Sequence, residues 1–380
     1  MAARDTQVGV VRYVGWMQPN PITRDMALKQ LATFLNGAGA HYAGQRNTDR
    51  GRDAMPTTSS LSPYLRRRVL TEEEVVVAAS EAFGAPGAEK FVSEVFWRTY
   101  FKGHLETHPE AWTGYLAGVE QQRARLEAEP GLRRIHEQAI EGRTGIDGFD
   151  DWARDLVEAG WLHNHTRMWF ASIWIFTLRL PWQLGAAFFL QHLRDGDPAS
   201  NTLSWRWVAG LHTRGKHYLA RRDNIRRHTE GRYDPKGLNE TAESLTEAVP
   251  PREQPIAAAD RPPSSDVALL LHLDDLHPES LRLEGGKVAR VAGFLAHMPD
   301  ASESVREADR EAMADAIERA SRHFGCPGAM VHDEWSADLP IVTAWTPVAR
   351  RRMRCRRGAS ALDGNGTRWH GVCPAAASSS

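Results

Sequence analysis

Tryptophan is the feature that most constrains this chain. Nine of its 13 tryptophans, Trp97, Trp112, Trp152, Trp161, Trp169, Trp174, Trp182, Trp205 and Trp207, crowd into its middle. An indole brings a large apolar body and one N–H that needs a partner when buried, so such a density calls for a thick core or an aromatic-walled site. Apolar residues from about Asp25 to Tyr233 recur mostly at helical spacing, with Gly, Pro and Asn clusters between the runs. This is the pattern of a helical domain. Helices are expected near Thr23 to Gly37, Thr71 to Phe83, Ala88 to Glu106, Glu110 to Leu126, Phe149 to Ala159, Thr166 to Thr177, Pro181 to Leu193 and Ala199 to Leu211. Thr71 with Glu74 three residues on has the form of a capping box.

The 380 residues, 42% hydrophobic and 25% charged, suffice for one large domain or two smaller ones. A formal net charge of -1 removes any case for nucleic-acid binding from bulk charge, so such binding has to be local. Cys326, Cys355 and Cys373 form neither a disulfide framework nor a zinc module. The N-terminus lacks the apolar run of a signal peptide, and Arg179 and Pro181 interrupt the most apolar stretch, Met168 to Leu193. A cytoplasmic protein without a membrane span is the expectation.

Residues 241–265, rich in Pro, Glu, Ala and Ser, read as a linker, because such a composition builds no packed core. Beyond it, residues 267–273, 288–297 and 341–348 read as strands and Ser304 to Phe324 as a helix, which together make a small α/β unit. The organisation expected is an N-terminal arm over residues 1–22, a mainly α domain over 23–240, the linker, an α/β unit over 266–349, and a disordered basic, low-complexity tail over 350–380.

Several segments carry chemistry. Thr58, Ser59, Ser60, Leu61 and Ser62 form a hydroxyl-rich turn entering a helix, where free N–H groups and hydroxyls can hold phosphate oxygens. Taken alone it is a cap or a turn. Glu94, Trp97, Arg98 and Phe101 share one helical stripe, a costly arrangement unless the charges meet a ligand or each other. Asn164 and Arg167 open an apolar helix beside Met168. Asp195, Gly196 and Asp197 form an acidic turn, followed by Asn201, Trp205 and Trp207. His163, His165, His192 and His212 lack metal-ligand spacing, and no metal is expected.

In order along the chain, these motifs resemble one family. Tyr-x-x-Gln-Arg at Tyr42, Thr-Ser-x-Leu-Ser at Thr58, Glu-x-x-Trp-Arg at Glu94, Gly-x-Thr-Gly at Gly142, His-Asn-x-x-Arg-Met at His163, Asp-Gly-Asp at Asp195 and Asn-x-x-x-Trp-x-Trp at Asn201 fall in register. From Leu35 to Glu240 the chain is similar to the C-terminal FAD-binding domain of the photolyase/cryptochrome family, especially bacterial cyclobutane pyrimidine dimer photolyases. The resemblance implies FAD held by Tyr42, Thr58 to Ser62, Phe91, Arg98, an Arg167–Asp195 pair, Gly196 and Asp197, with Asn201 facing flavin N5. It implies damaged DNA as partner, with Glu94, Trp97, Asn164, Met168, Trp207 and Arg221 on the substrate side. Glu94 would hydrogen-bond a flipped thymine pair, Trp97 and Trp207 would wall the pocket, and Asn164 would bridge toward the flavin. Extruding a damaged dinucleotide costs a few kcal/mol, and stacking on an indole returns roughly 1–3 kcal/mol per base.

Of the family's tryptophan electron relay, Trp205 and Trp182 are matched. The third position falls near Glu129, where no tryptophan stands, leaving Trp112, Trp174 or Trp161 as substitutes. Between Ser204 and Lys236 nine Lys/Arg face three acids, a surplus of six positive charges beside the implied pocket. Family members normally begin with an α/β antenna domain, so no antenna chromophore is expected at this N-terminus. The expected activity is light-driven dimer repair by a monomeric carbon–carbon lyase. A cryptochrome-like flavin photoreceptor or redox sensor is the alternative, and no protein partner is identified.

Overall fold

The computed structural model describes residues 20–349 apart from 53, 55, 214, 248–250, 257, 259–263, 284 and 333–336. The expected arm up to residue 19 and the tail from 350 lie outside the described residues.

Helix α1 spans Arg24–Asn36, capped by the Thr23 hydroxyl, and α2 (Tyr42–Gln45) and α3 (Ser62–Arg66) are short. The Thr71–Glu74 capping box is present, and it opens α4, Glu72–Thr107. Two helices expected here run into one another across a kink, because Gly84 takes a left-handed φ of 69° two residues before Pro86. Then follow α5 (Pro109–Ala128), α6 (Pro130–Ile140), α7 (Phe149–Ala159), α8 (Asn164–Ser172) with a π turn at Ile173–Thr177, α9 (Trp182–His192), α10 (Pro198–Ala209) and α11 (Arg222–His228). Helices α6 and α11 were not anticipated. Most of the clustered tryptophans are packed in one core built on α5 and α7 to α10, with Trp112, Trp152, Trp169, Trp174 and Trp205 at most 2% exposed.

The α/β unit comprises β1 (Val267–His272), β2 (Val288–Phe294), α12 (Glu303–Phe324), β3 (Gly328–Val331) and β4 (Ile341–Thr343). All pairings are parallel, in the order β3-β2-β1-β4. Every residue of β1 is buried, as expected for a central parallel strand. Gly293 lets α12 lie close on the sheet, since a Cβ there would come within 2.5 Å of Ile317. β4 is shorter than the expected 341–348 because its continuation turns to α4: the Trp345 indole and the Val348 amide both donate to Glu106, at 3.0 and 2.7 Å.

The second hydrophobic core does not follow chain order. It joins α1, α3 and the first part of α4 with β1, β2 and α12. Residues 241–247 and 251–256 run along the helical part, where the Leu245 amide donates to Ala209 at 2.9 Å and Glu247 pairs with Arg206 at 2.5 Å. Two buried ion pairs also bridge the halves. Arg66 pairs with Asp274 at 3.3 Å, and Arg67 donates twice to Asp309, at 2.9 and 2.7 Å. Burial draws the Arg67 pKa down to about 10 against the pull of Asp309.

Because Arg67 is 1% exposed, removing its partner leaves a charge with no access to water. Asp309→Ala is expected to cost roughly 3–5 kcal/mol in urea unfolding, and Arg67→Met with Asp309→Leu to recover much of it. A cost below about 1 kcal/mol for the single change would contradict this reading.

Candidate functional site

The Asp-Gly-Asp turn between α9 and α10 lies at the centre of the site. Asp197 caps α10 by accepting from the Ser200 amide at 2.8 Å, and that fixes where its other oxygen points. There Arg98 of α4 donates at 3.2 Å, with the Lys102 ammonium 3.9 Å away. Asp195 accepts from Arg167 of α8 at 2.9 Å, and Arg167 also donates to the Leu162 carbonyl at 2.9 Å. Both aspartate side chains are 3% exposed. Burial by itself would raise their pKa values, yet both are held below the ordinary 3.8, Asp195 chiefly by Arg167 and Asp197 by Arg98 and Lys102. The loop is pinned from behind as well: Arg66 donates to the Gly196 carbonyl at 3.0 Å and Arg67 to that of Arg194 at 2.8 Å.

The hydroxyl-rich turn borders this pair of charges. The Thr57 hydroxyl donates to the Thr48 carbonyl at 2.7 Å and lies 3.4 Å from His163 Nε2. His163 Nδ1 in turn accepts from the His165 amide at 3.1 Å at the start of α8. Thr58, Ser59, Ser60 and Ser62 are half-buried, with Ser60 in the left-handed region at φ 54°. The Ser62 hydroxyl lies beside Asp195 and helps hold its charge. Leu61 is fully buried, so only its backbone faces the turn. Tyr42 and Phe91 pack edge to face at 5.3 Å, and burial pushes the Tyr42 hydroxyl up to about 12, so it stays neutral.

Asn201 is buried on α10 and donates its amide N–H to the Ala186 carbonyl at 2.9 Å, which fixes the direction of its amide oxygen. Trp205 packs on Gly185 of α9, where any Cβ would come within 2.3 Å of the indole. Its Nε1 has no hydrogen-bond partner among the described residues.

The residues that the resemblance puts on the substrate side are more exposed. Trp97 is 49% exposed, Asn164 is exposed at the start of α8, and Met168 and Trp207 are half-buried, with Trp207 stacked on Tyr218 at 5.9 Å. Arg221 is exposed ahead of α11. Glu94 is paired with Arg46, a residue of the Tyr-x-x-Gln-Arg motif that sequence reasoning did not connect with it. The Gly142–Gly145 motif has a local role, since Thr144 and Gly145 donate to Asp150 in the first turn of α7. Trp182 lies against Tyr115, ring centroids 5.7 Å apart, and Tyr115 against Trp112 at 5.3 Å; Trp174 lies 6.3 Å from Trp205. Nothing in the sequence ties Tyr115 to Trp182, because the two stand on different helices, α5 and α9.

The donor set fits a dinucleotide cofactor. A hydroxyl-bearing turn and Arg98, whose buried Nε makes no hydrogen bond among the described residues, offer donors to phosphate oxygens. The two clamped carboxylates supply fixed acceptors. Among the described residues no His, Cys, Asp and Glu group is arranged to hold a metal ion, and no helix is long and apolar enough to cross a membrane.

Comparison with known proteins agrees with this chemistry. Residues 91–238 match the family described as the FAD binding domain of DNA photolyase. The chain is 36% identical over 211 residues to the deoxyribodipyrimidine photo-lyase of Streptomyces griseus, covering 52% of this chain and 44% of that one. With the enzyme of the same name from Escherichia coli it shares 28% over 212 residues, 52% of this chain and 42% of the relative. The chain therefore spans less than half the length of these relatives. Among solved structures, a bacterial class III photolyase from Agrobacterium tumefaciens aligns with a TM-score of 0.43 and 26% identity, over 54% of this chain and 44% of that one. A Synechocystis cryptochrome aligns with a TM-score of 0.46 and 22% identity, over 55% and 43%. The similarity is to the FAD-binding domain of DNA photolyase.

Because folding lowers the pKa values of Asp195 and Asp197, their ionised forms stabilise the fold fully above about pH 4, and this stabilisation is lost as pH falls through the lowered values. Asp195→Asn is expected to unfold at lower urea than the parent at pH 7, with the gap narrowing as pH falls below about 4. A gap that stayed constant across that range would contradict the ionised assignment.

Proposed function

We propose that the chain binds FAD in the cradle around Asp195 and Asp197 and repairs cyclobutane pyrimidine dimers in DNA under blue light. The observation that supports this most is the pair of buried carboxylates, each clamped by an arginine from a different helix, beside a hydroxyl turn. When bound and reduced, FAD would supply the photoexcited electron that opens the cyclobutane ring.

The chain's own residues position and insulate. Arg98 and the Thr58–Ser62 turn hold the phosphates, while Arg167 and Asp195 keep a compensated charge pair at the ring system instead of a net charge. Asn201 offers its fixed amide oxygen to the ring edge without adding charge. Trp97 and Trp207 wall the mouth, and stacking there offsets part of the extrusion cost of a damaged dinucleotide. Glu94, held by Arg46, presents a carboxylate to the N–H edge of a flipped thymine. Lys216, Arg221, Arg226 and Arg227, all exposed, supply local positive charge for phosphates on either side of the lesion.

Tyr115 is the third aromatic we assign to an electron path through Trp182. Tyr115→Phe is expected to slow light-driven reduction of the bound flavin severalfold and to abolish any tyrosyl absorption transient, leaving the flavin bound. An unchanged transient would remove Tyr115 from the path.

The direct test illuminates the reduced holoprotein with an oligonucleotide carrying one thymine dimer. Repair is expected, and Glu94→Ala should lower its yield at least tenfold while the flavin stays bound. Bound flavin with no repair would overturn the enzymatic reading in favour of a light or redox sensor; loss of flavin from Glu94→Ala would make that residue structural.

A further inference from the structure

Helix α4 carries an unusual face beyond the pocket mouth. Phe96, Trp97 and Tyr100 are each about half exposed, at 53%, 49% and 47%. From Trp97 the rings continue without a break. Trp97 meets Tyr100 and Phe101 at 5.4 and 5.7 Å, Tyr100 meets His104 at 5.8 Å, and His104 stacks on His108 at 4.0 Å with 11° between the planes. His212, from the segment after α10, closes the row at 4.8 Å from His104 and within 3.4 Å of the Tyr100 hydroxyl.

Exposed aromatic area on this scale is out of place on a helix whose only neighbour is water. The histidines are not arranged as a metal site: among the described residues no such group qualifies, and His108 Nδ1 is engaged 2.9 Å from the Thr107 hydroxyl. Burial, then the neighbouring His108 and His212, push the His104 pKa down to about 4, so at neutral pH its ring is uncharged and serves as a flat surface. His212 leads along the chain into a basic segment in which Lys216, Arg221, Arg226 and Arg227 are exposed, and of its acids Asp234 is paired with Arg222 and Glu230 with Arg50.

A row of rings followed along the chain by exposed cations is chemistry suited to an unpaired nucleic-acid strand: bases lie on the rings and phosphates on the cations. A paired strand cannot use it, because its base faces are already stacked. We propose that the Trp97–His108 face of α4, with His212, is a stacking track for unpaired DNA flanking the lesion, giving the protein a preference for single-stranded over duplex substrate. This rests on the reading of the pocket as a DNA site.

The test uses undamaged DNA in the dark, so that it is independent of repair. Fluorescence anisotropy of the holoprotein with a dye-labelled twelve-nucleotide thymidine strand and with a duplex of equal length should show tighter binding to the single strand. Tyr100→Ala should weaken single-strand binding about fivefold or more and leave duplex binding within about twofold, whereas Tyr100→Phe keeps both. In a parallel experiment a 5-iodouracil-containing strand should photo-crosslink to the parent protein at Trp97, Tyr100 or His104, located by mass spectrometry. Equal loss on both DNA forms, unchanged single-strand affinity in Tyr100→Ala, or crosslinks confined to other surfaces would overturn the track. If dimer repair proceeds all the same, the reading of the pocket stands without it.

Discussion

Two carboxylates taken out of water two residues apart in one turn are the constraint that organises this protein. Asp195 and Asp197 can be buried as anions only because Arg167 and Arg98 arrive from α8 and α4 to meet them. That requirement fixes the relative placement of α4, α8, α9 and α10, which is the same as fixing the walls of the cradle. The loop's backbone is held too, through Arg66 and Arg67 on the carbonyls of Gly196 and Arg194. Since those arginines also pair with Asp274 and Asp309, the α/β unit and the cradle share one network of buried charge. A disturbance at the ends of β1 or on α12 therefore has a physical route to the loop that holds the candidate site.

The clustered tryptophans divide between two tasks. Trp112, Trp152, Trp169 and Trp174 fill the core, where Trp169 and Trp174 are completely buried. Trp97 stays at the surface beside other rings, where an apolar body is useful only if something stacks on it.

What could be read from the sequence was local. The Thr71 capping box, the α7 and α9 boundaries and the buried β1 run all come from patterns of a few residues, and they stand where expected within one or two positions. Helix α6 escaped because it begins directly after α5, which hides its start, although Leu132, Ile135, Ala139 and Ile140 do recur at helical spacing; α11 escaped because seven residues with three arginines read as charge rather than as an element. Charge pairing over distance was legible only where motifs named both partners, as with Arg167 and Asp195. Glu94 and Arg46, 48 residues apart, and Lys102 beside Asp197 leave no such mark, because nothing in the spacing says which helices will touch. For the same reason the joining of α1, α3 and α4 to the α/β unit in one core was invisible.

The central claim is that the clamped carboxylates and the hydroxyl turn form a cradle for FAD. Titrating the purified chain, stripped of any flavin, with FAD while following visible absorption and flavin fluorescence tests it most directly. The account predicts saturable uptake of one FAD per chain, with quenched emission and a flavin band that sharpens into vibrational structure. A spectrum identical to free FAD at every ratio would contradict it.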